Sequence, residues 1–135
     1  MAVITYDNDE FKSIDCIPEY ADYPTIYVAK TPHVGENGRT FQVINTAWGH
    51  QKITHPLYSR EDRQGYLIAC LPRIGNSNNR LVKVHRLVLL AWLGELPNNY
   101  QELQVNHLNE NKSDNRLENL ELVTARENLI WGYIS

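Results

Sequence analysis

The stretch QVNHLNENKSDNRLENLELVTAREN (residues 104–128) sets six Asn around a single His, His107. Its ends are short and apolar. LQVNHL (103–108) and NLELV (119–123) read as strands, and the polar run NENKSDNRLE between them reads as a loop, because Asn, Asp and Ser favour turns. Thr124 followed by Glu127 makes a T-x-x-E capping box, which predicts a helix from about Ala125 to near Gly132. The order is therefore strand, loop, strand, helix, with His107 on the first strand and Asn128 in the first turn of the helix.

Upstream of this stretch, VHRLVLLAWLGELP repeats apolar residues at three- and four-residue steps (Val84, Leu87, Val88, Ala91, Trp92), the pattern of a helix. Leu89, Leu90 and Leu93 fill much of its other side, so it is buried on most faces, and Gly94 and Pro97 stop it. Further back, TIYVAK (25–30), FQVINT (41–46) and YLIACLP (66–72) are short, rich in β-branched and aromatic residues, and separated by turn chemistry such as GENGR and DRQG. RIGNSNNRLVKV then reads as a hairpin leading into the helix. The first two dozen residues, acidic and interrupted by Pro18 and Pro24, read as a lead-in with one short strand. The expected fold class is α+β: a small antiparallel sheet, then a helix, then the C-terminal unit. Residues 1–79 form the β-rich part and residues 80–135 the remainder, together one compact unit of ordinary domain size.

The chain has 135 residues, 42% of them hydrophobic, and a net charge of −3. That balance argues against non-specific coating of nucleic acid, whose affinity comes from neutralising phosphates. Its distribution is uneven. Residues 1–50 carry seven acidic and three basic side chains, residues 51–100 the reverse, and residues 101–135 six acidic and three basic. The positive segment lies just before the His107 stretch and suits one local contact with a phosphate backbone. No run of apolar residues is long enough to span a membrane, and no signal peptide is visible. Cys16 and Cys70 have neither zinc spacing nor disulfide density, which points to reduced thiols and a cytoplasmic protein.

His85-Arg86-Leu87-Val88, Asn106-His107, Asn115, Asn119-Leu120, Val123-Thr124 and Glu127-Asn128 form a linked set over about residues 80–130. The set resembles the ββα-metal finger of HNH endonucleases, and within them the phage and intron-associated homing endonucleases. The N-terminal half loosely resembles the module that often precedes such cores. The resemblance implies a metal-dependent DNA endonuclease that hydrolyses phosphodiester bonds, leaving 5′-phosphate and 3′-hydroxyl ends, in a bacterial host if the chain is phage-encoded. Such hydrolysis needs a base for water and a cation to neutralise charge on the phosphate and leaving oxygen. His107 suits the base, since imidazole titrates near neutral pH. By resemblance, Asn119 ties the strands and loop together to orient His107, while Asn106 and Asn128 offer oxygens to Mg²⁺, with Mn²⁺ as the alternative. Many relatives carry Asp where this chain has Asn106, so the resemblance also implies weaker cation binding. Asn106 and His107 are neighbours that a regular strand would send to opposite faces, which predicts a bend or an end of the strand there.

Arg73, Arg80, Lys83, His85 and Arg86 are the candidates for DNA contact, with His85 equally suited to an interior hydrogen-bonded place. Asn109, Asn111 and Asn115 read as loop residues, Glu127 as a cap rather than a ligand, and Trp48, Trp92 and Trp131 as packing. His33, His50 and His55 receive no assignment. Two other readings stay open: a catalytically weakened finger that binds DNA or protein, and an acidic N-terminal segment that binds a basic partner.

Overall fold

The computed structural model describes residues 3–46, 54–72 and 80–127. The N-terminal part is a five-stranded antiparallel sheet in sequential order, built from β1 (Val3–Tyr6), β2 (Asp9–Ser13), β3 (Ile26–Val34), β4 (Thr40–Asn45) and β5 (His55–Leu57). A three-stranded sheet follows, β6 (Arg60–Glu61), β7 (Leu67–Leu71) and β8 (Arg80–Lys83), and runs straight into helix α1 (Val84–Trp92). The last sheet pairs β9 (Gln104–His107) with β10 (Leu120–Val123), setting Leu120 opposite His107 and Glu121 opposite Asn106. All the pairings are antiparallel.

The lead-in is more ordered than the sequence suggests. Asp7 and Asn8 take left-handed backbone (φ 49° and 73°), which closes β1 on β2 as a tight hairpin. Two short 3₁₀ turns, Ile14–Cys16 and Pro18–Tyr20, then bury Ile14 and Ile17 completely. Pro18 suits the first position of its turn, where no N–H is needed. Part of the acidic charge is spent inside the fold. His33 is clamped between Asp9 and Asp7, with Nε2 2.9 Å from the Asp7 carboxylate, and Glu19 lies beside Arg80.

Strand β3 is longer than the TIYVAK segment and contains Pro32, which cannot donate to a ladder. The pairing with β4 accordingly shifts register between Val28 and His33. Gln42 faces this irregularity, and its side-chain amide donates to the Ala29 carbonyl at 3.0 Å. Pro56 lies in β5, at the edge of the same sheet, where proline is tolerated.

One core runs through both parts of the chain. Ile14, Ile17, Ile26, Val28 and Val43 meet Leu71, Val82, Val84, Leu87, Val88, Leu90, Val105 and Leu120. Burial of each such side chain contributes about 1.5–3 kcal/mol, and α1 supplies the largest share from one element. Its end comes at Gly94, whose φ of +90° suits glycine. The Trp92 indole packs as expected, donating to the Val28 carbonyl at 2.9 Å. Thr124 and Glu127 form the reciprocal capping box, at 3.0 and 3.1 Å, and the helix opens at Ala125. Its continuation, with Asn128 and Trp131, lies outside the described residues, as do Arg73, Trp48 and His50.

Candidate active site

His107 is the last residue of β9 and is buried. A turn follows at once: Glu110 N–H donates to the His107 carbonyl at 2.9 Å, and Leu108 N–H donates to the Asn119 carbonyl at 2.8 Å. The strand ends directly after His107, and both Asn106 and His107 stay paired in the ladder. Their side chains nonetheless take separate partners on the two faces. Asn106 Nδ2 donates to the Glu121 carboxylate across the ladder at 3.1 Å, whereas His107 Nε2 lies 2.8 Å from Asn115 Oδ1.

That second contact gives Asn115, a loop residue as expected, a partner inside the site. It has no exposed surface, in contrast to Asn109 and Asn111, which are exposed. Asn119 ties the loop together without touching the His107 ring itself. Its side chain accepts from Asn109 N–H at 3.0 Å and donates to Asn109 Oδ1 and to the Asp114 carbonyl, each at 2.9 Å. Asn119 therefore holds the loop, and Asn115 within that loop holds the imidazole. Asp114 adds a local brace, accepting from Arg116 and Asn109. The Arg116 guanidinium, with help from the Asn109 amide, holds its carboxyl down to about 2.

Two further rings pack against the imidazole. His85 from α1 meets it edge to face, with centroids 5.2 Å apart, and Tyr66 lies 5.3 Å from His85 and 6.0 Å from His107. Tyr66 is placed by the turn after β6. The Asp62 carboxylate accepts from the N–H of Gln64 at 2.8 Å and of Tyr66 at 3.0 Å, and Gly65 takes a φ of +91°. Two ammonium groups lie over the Tyr66 ring, Lys83 at 4.5 Å and Lys112 at 5.0 Å from its centroid. Lys112 and Tyr66 went unread in the sequence. A basic residue inside a polar loop and an aromatic beside a turn have commoner explanations, and only the fold joins them.

Two of the proposed DNA contacts have other tasks in the fold. Arg86 donates to the carbonyls of Leu103 at 3.0 Å and Tyr100 at 3.1 Å, tying α1 to the segment before β9. His85 is buried under the site rather than facing outward. Arg80 stacks over Tyr20 and donates to the Glu19 carbonyl at 3.3 Å, with its side chain still 43% exposed. Lys83 remains available beside the site.

Asn106 and Glu121 bring a carboxamide and a carboxylate together, oxygen donors of the kind a hard divalent cation takes. Among the described residues, no group of three or more His, Cys, Asp or Glu side chains converges as a ready metal cage. The donor type fits such an ion, with Asn128 outside the described residues.

Residues 82–130 match the sequence profile of the HNH endonuclease family. Two HNH endonucleases of Acanthamoeba polyphaga mimivirus, L245 and L247, both uncharacterized, are each 39% identical to this chain over the matched residues. They match over 69 and 77 residues, which is 51% and 56% of this chain. The chain spans only 19% of the length of each of those relatives. The solved structure of the HNH homing endonuclease I-HmuI, described as binding and cleaving DNA, superposes with a TM-score of 0.60 at 22% identity. The match covers 92% of this chain and 57% of that one. The mixed fold of antiparallel sheets and few helices is thus shared beyond the HNH segment.

Two of the buried imidazoles, His85 and His33, give opposite pH dependences. His85 has its pKa pushed down to about 3, chiefly by burial and then by His107, Lys83 and Arg86. An unfolded His binds its proton near 6.5. The native protein refuses that proton until about pH 3, so acidification between these values removes stability. His33 is shifted upward, first by its hydrogen bond to Asp9. Its contribution is complete below about 6.5 and is lost as pH rises through the raised native value. Urea midpoints across a pH series should therefore fall on both sides. His85→Phe is expected to flatten the acid limb and His33→Gln the alkaline limb, and unchanged limbs would contradict these shifts.

Proposed function

We propose that this chain is a metal-dependent HNH DNA endonuclease of the phage-like homing type, which hydrolyses phosphodiester bonds by nicking or double-strand cleavage. The observation that carries the reading is His107. It sits at the end of β9 inside the segment that matches the HNH profile, held by Asn115 and next in sequence to Asn106, which pairs with Glu121 across the ladder. In this reading the His107 imidazole takes the proton of an attacking water. Asn106 and Asn128 hold a divalent cation, Mg²⁺ or Mn²⁺, and the neighbouring Glu121 adds the negative charge that an Asn in the Asp position lacks. Such a cation, when bound, neutralises charge on the phosphate and the leaving oxygen. Asn119 keeps the loop closed around this arrangement. The host cytoplasm, where a phage-encoded enzyme meets DNA, is the proposed setting.

Plasmid nicking by purified protein with Mg²⁺ is the direct test. No conversion of supercoiled to open-circular DNA with either metal would rule the activity out. The neutral side chain of Asn106 favours one second reading, a finger that binds DNA without cutting it. Intact DNA affinity together with no Mg²⁺ or Mn²⁺ binding in a calorimetric titration would support that reading instead.

Lys83 and Lys112 flank Tyr66 beside His107 and are proposed to contact backbone phosphates, together with Arg80 and with Arg73, which lies outside the described residues. Lys83→Ala and Lys112→Ala are each expected to weaken binding across DNA sequences alike. Each should also lower the slope of log affinity against log salt by about 1. A slope unchanged in both variants would remove these two residues from the interface.

A further inference from the structure

We infer that Gln42 and Asn115 form a buried hydrogen-bonded line that fixes the His107 imidazole in its Nε2–H tautomer, leaving Nδ1 as the proton acceptor. A neutral imidazole has one N–H and one lone pair, and the partner of one nitrogen decides which the other carries. Asn115 presents Oδ1 to Nε2 at 2.8 Å, and an amide oxygen only accepts, so Nε2 carries the hydrogen. No hydrogen bond from the described residues ends on Nδ1, while His85 and Tyr66 pack against the ring.

Asn115 is held in turn from the other half of the chain. Its backbone carbonyl accepts from Gln42 Nε2 at 2.7 Å, a buried contact between residues 73 positions apart. Gln42 Nε2 also donates to the Ala29 carbonyl at 3.0 Å, so both amide hydrogens are committed to carbonyls and the side chain can face only one way. The irregularity between β3 and β4 frees that carbonyl for Gln42. Two outer contacts hold the loop on its exposed side: Lys112 Nζ donates to the Gln64 carbonyl at 2.9 Å, and Ser113 Oγ donates to the Glu61 carboxylate at 3.2 Å. Gln42 and Asn115 are positioning residues, acting on His107 rather than on substrate. The inference rests on the reading of His107 as the base, and its test is independent of activity.

Ring ¹⁵N correlation spectra of the full, metal-free protein at mildly alkaline pH, where an ordinary imidazole is neutral, report the tautomer directly. The expected spectrum of the parent shows His107 with the hydrogen on Nε2. Asn115→Leu, similar in size but without an acceptor, should lose that preference. Its nicking rate should fall on the order of 10- to 100-fold, in kcat rather than KM. Asn115→Asp keeps an acceptor oxygen and should restore the Nε2–H signal, and Gln42→Met should shift the spectrum in the direction of Asn115→Leu by a smaller amount. A parent spectrum with the hydrogen on Nδ1 overturns the inference, because the Asn115 amide would then face the other way. A folded Asn115→Leu variant with the parental tautomer overturns it too, and if that variant does not fold, Gln42→Met with an unshifted spectrum does the same. A parent with the expected tautomer that nicks no DNA leaves the inference standing and removes the nuclease reading.

Discussion

His107→Ala is expected to keep the fold and to lower DNA nicking by a factor on the order of 10²–10⁴, the usual contribution of a positioned general base. The ring sits at a strand end, so its removal breaks no ladder bond; it deletes the one imidazole bonded to Asn115 and leaves the Asn106–Glu121 pair across the sheet untouched. His85 cannot replace it. Burial leaves that second imidazole with little affinity for a proton, and it lies beneath the site, packed edge-on against Tyr66. Rate measurements on parent and variant over the same metal series separate the outcomes. A variant that cuts as fast as the parent would take His107 out of the mechanism altogether.

Asn119→Ala is expected to cost about 2–4 kcal/mol of stability, because three hydrogen bonds are lost and the groups they satisfied are left in a partly buried loop. The side chain is 5% exposed, so water does not simply take its place. The freed Asn109 N–H and Asp114 carbonyl flank the segment that carries Asn115, and loosening them loosens the hold on His107 as well. Nicking should therefore fall along with the urea midpoint. Asn111→Ala is the control: its side chain is exposed and accepts only from Ser113 N–H at 3.0 Å, and its loss should cost less than about 1 kcal/mol. Equal costs for the two variants would contradict the division of labour among these carboxamides.

What could be read in the sequence was local. The two strands around the polar loop, the T-x-x-E cap and the apolar repeat of α1 each declare themselves within a few residues, and the structure contains all three. The N-terminal hairpin did not declare itself, because Asp7 and Asn8 form its turn by adopting left-handed backbone and neither is glycine. Ile14 is buried in a 3₁₀ turn, and Ile17 between that turn and the next, both turns too short to carry a period. Within the site the limit was burial. Asn109, Asn111 and Asn115 are chemically identical letters in one loop, and only the packing of the sheets against that loop makes Asn115 an interior group. Arg86 shows the same limit from the other side: its charge is legible, but the two carbonyls that occupy it belong to residues 14 and 17 positions away.

The bond from Gln42 to the Asn115 carbonyl also sets a rule for recombination. The HNH segment begins at residue 82, yet one donor to its loop comes from β4, and Gln64 and Glu61 from the β6–β7 turn hold the same loop. A chimera that grafts residues 82–130 onto a foreign N-terminal half would inherit every letter of the motif and none of these three anchors. The portable unit is therefore larger than the motif, and its inner boundary lies at the strand that carries Gln42.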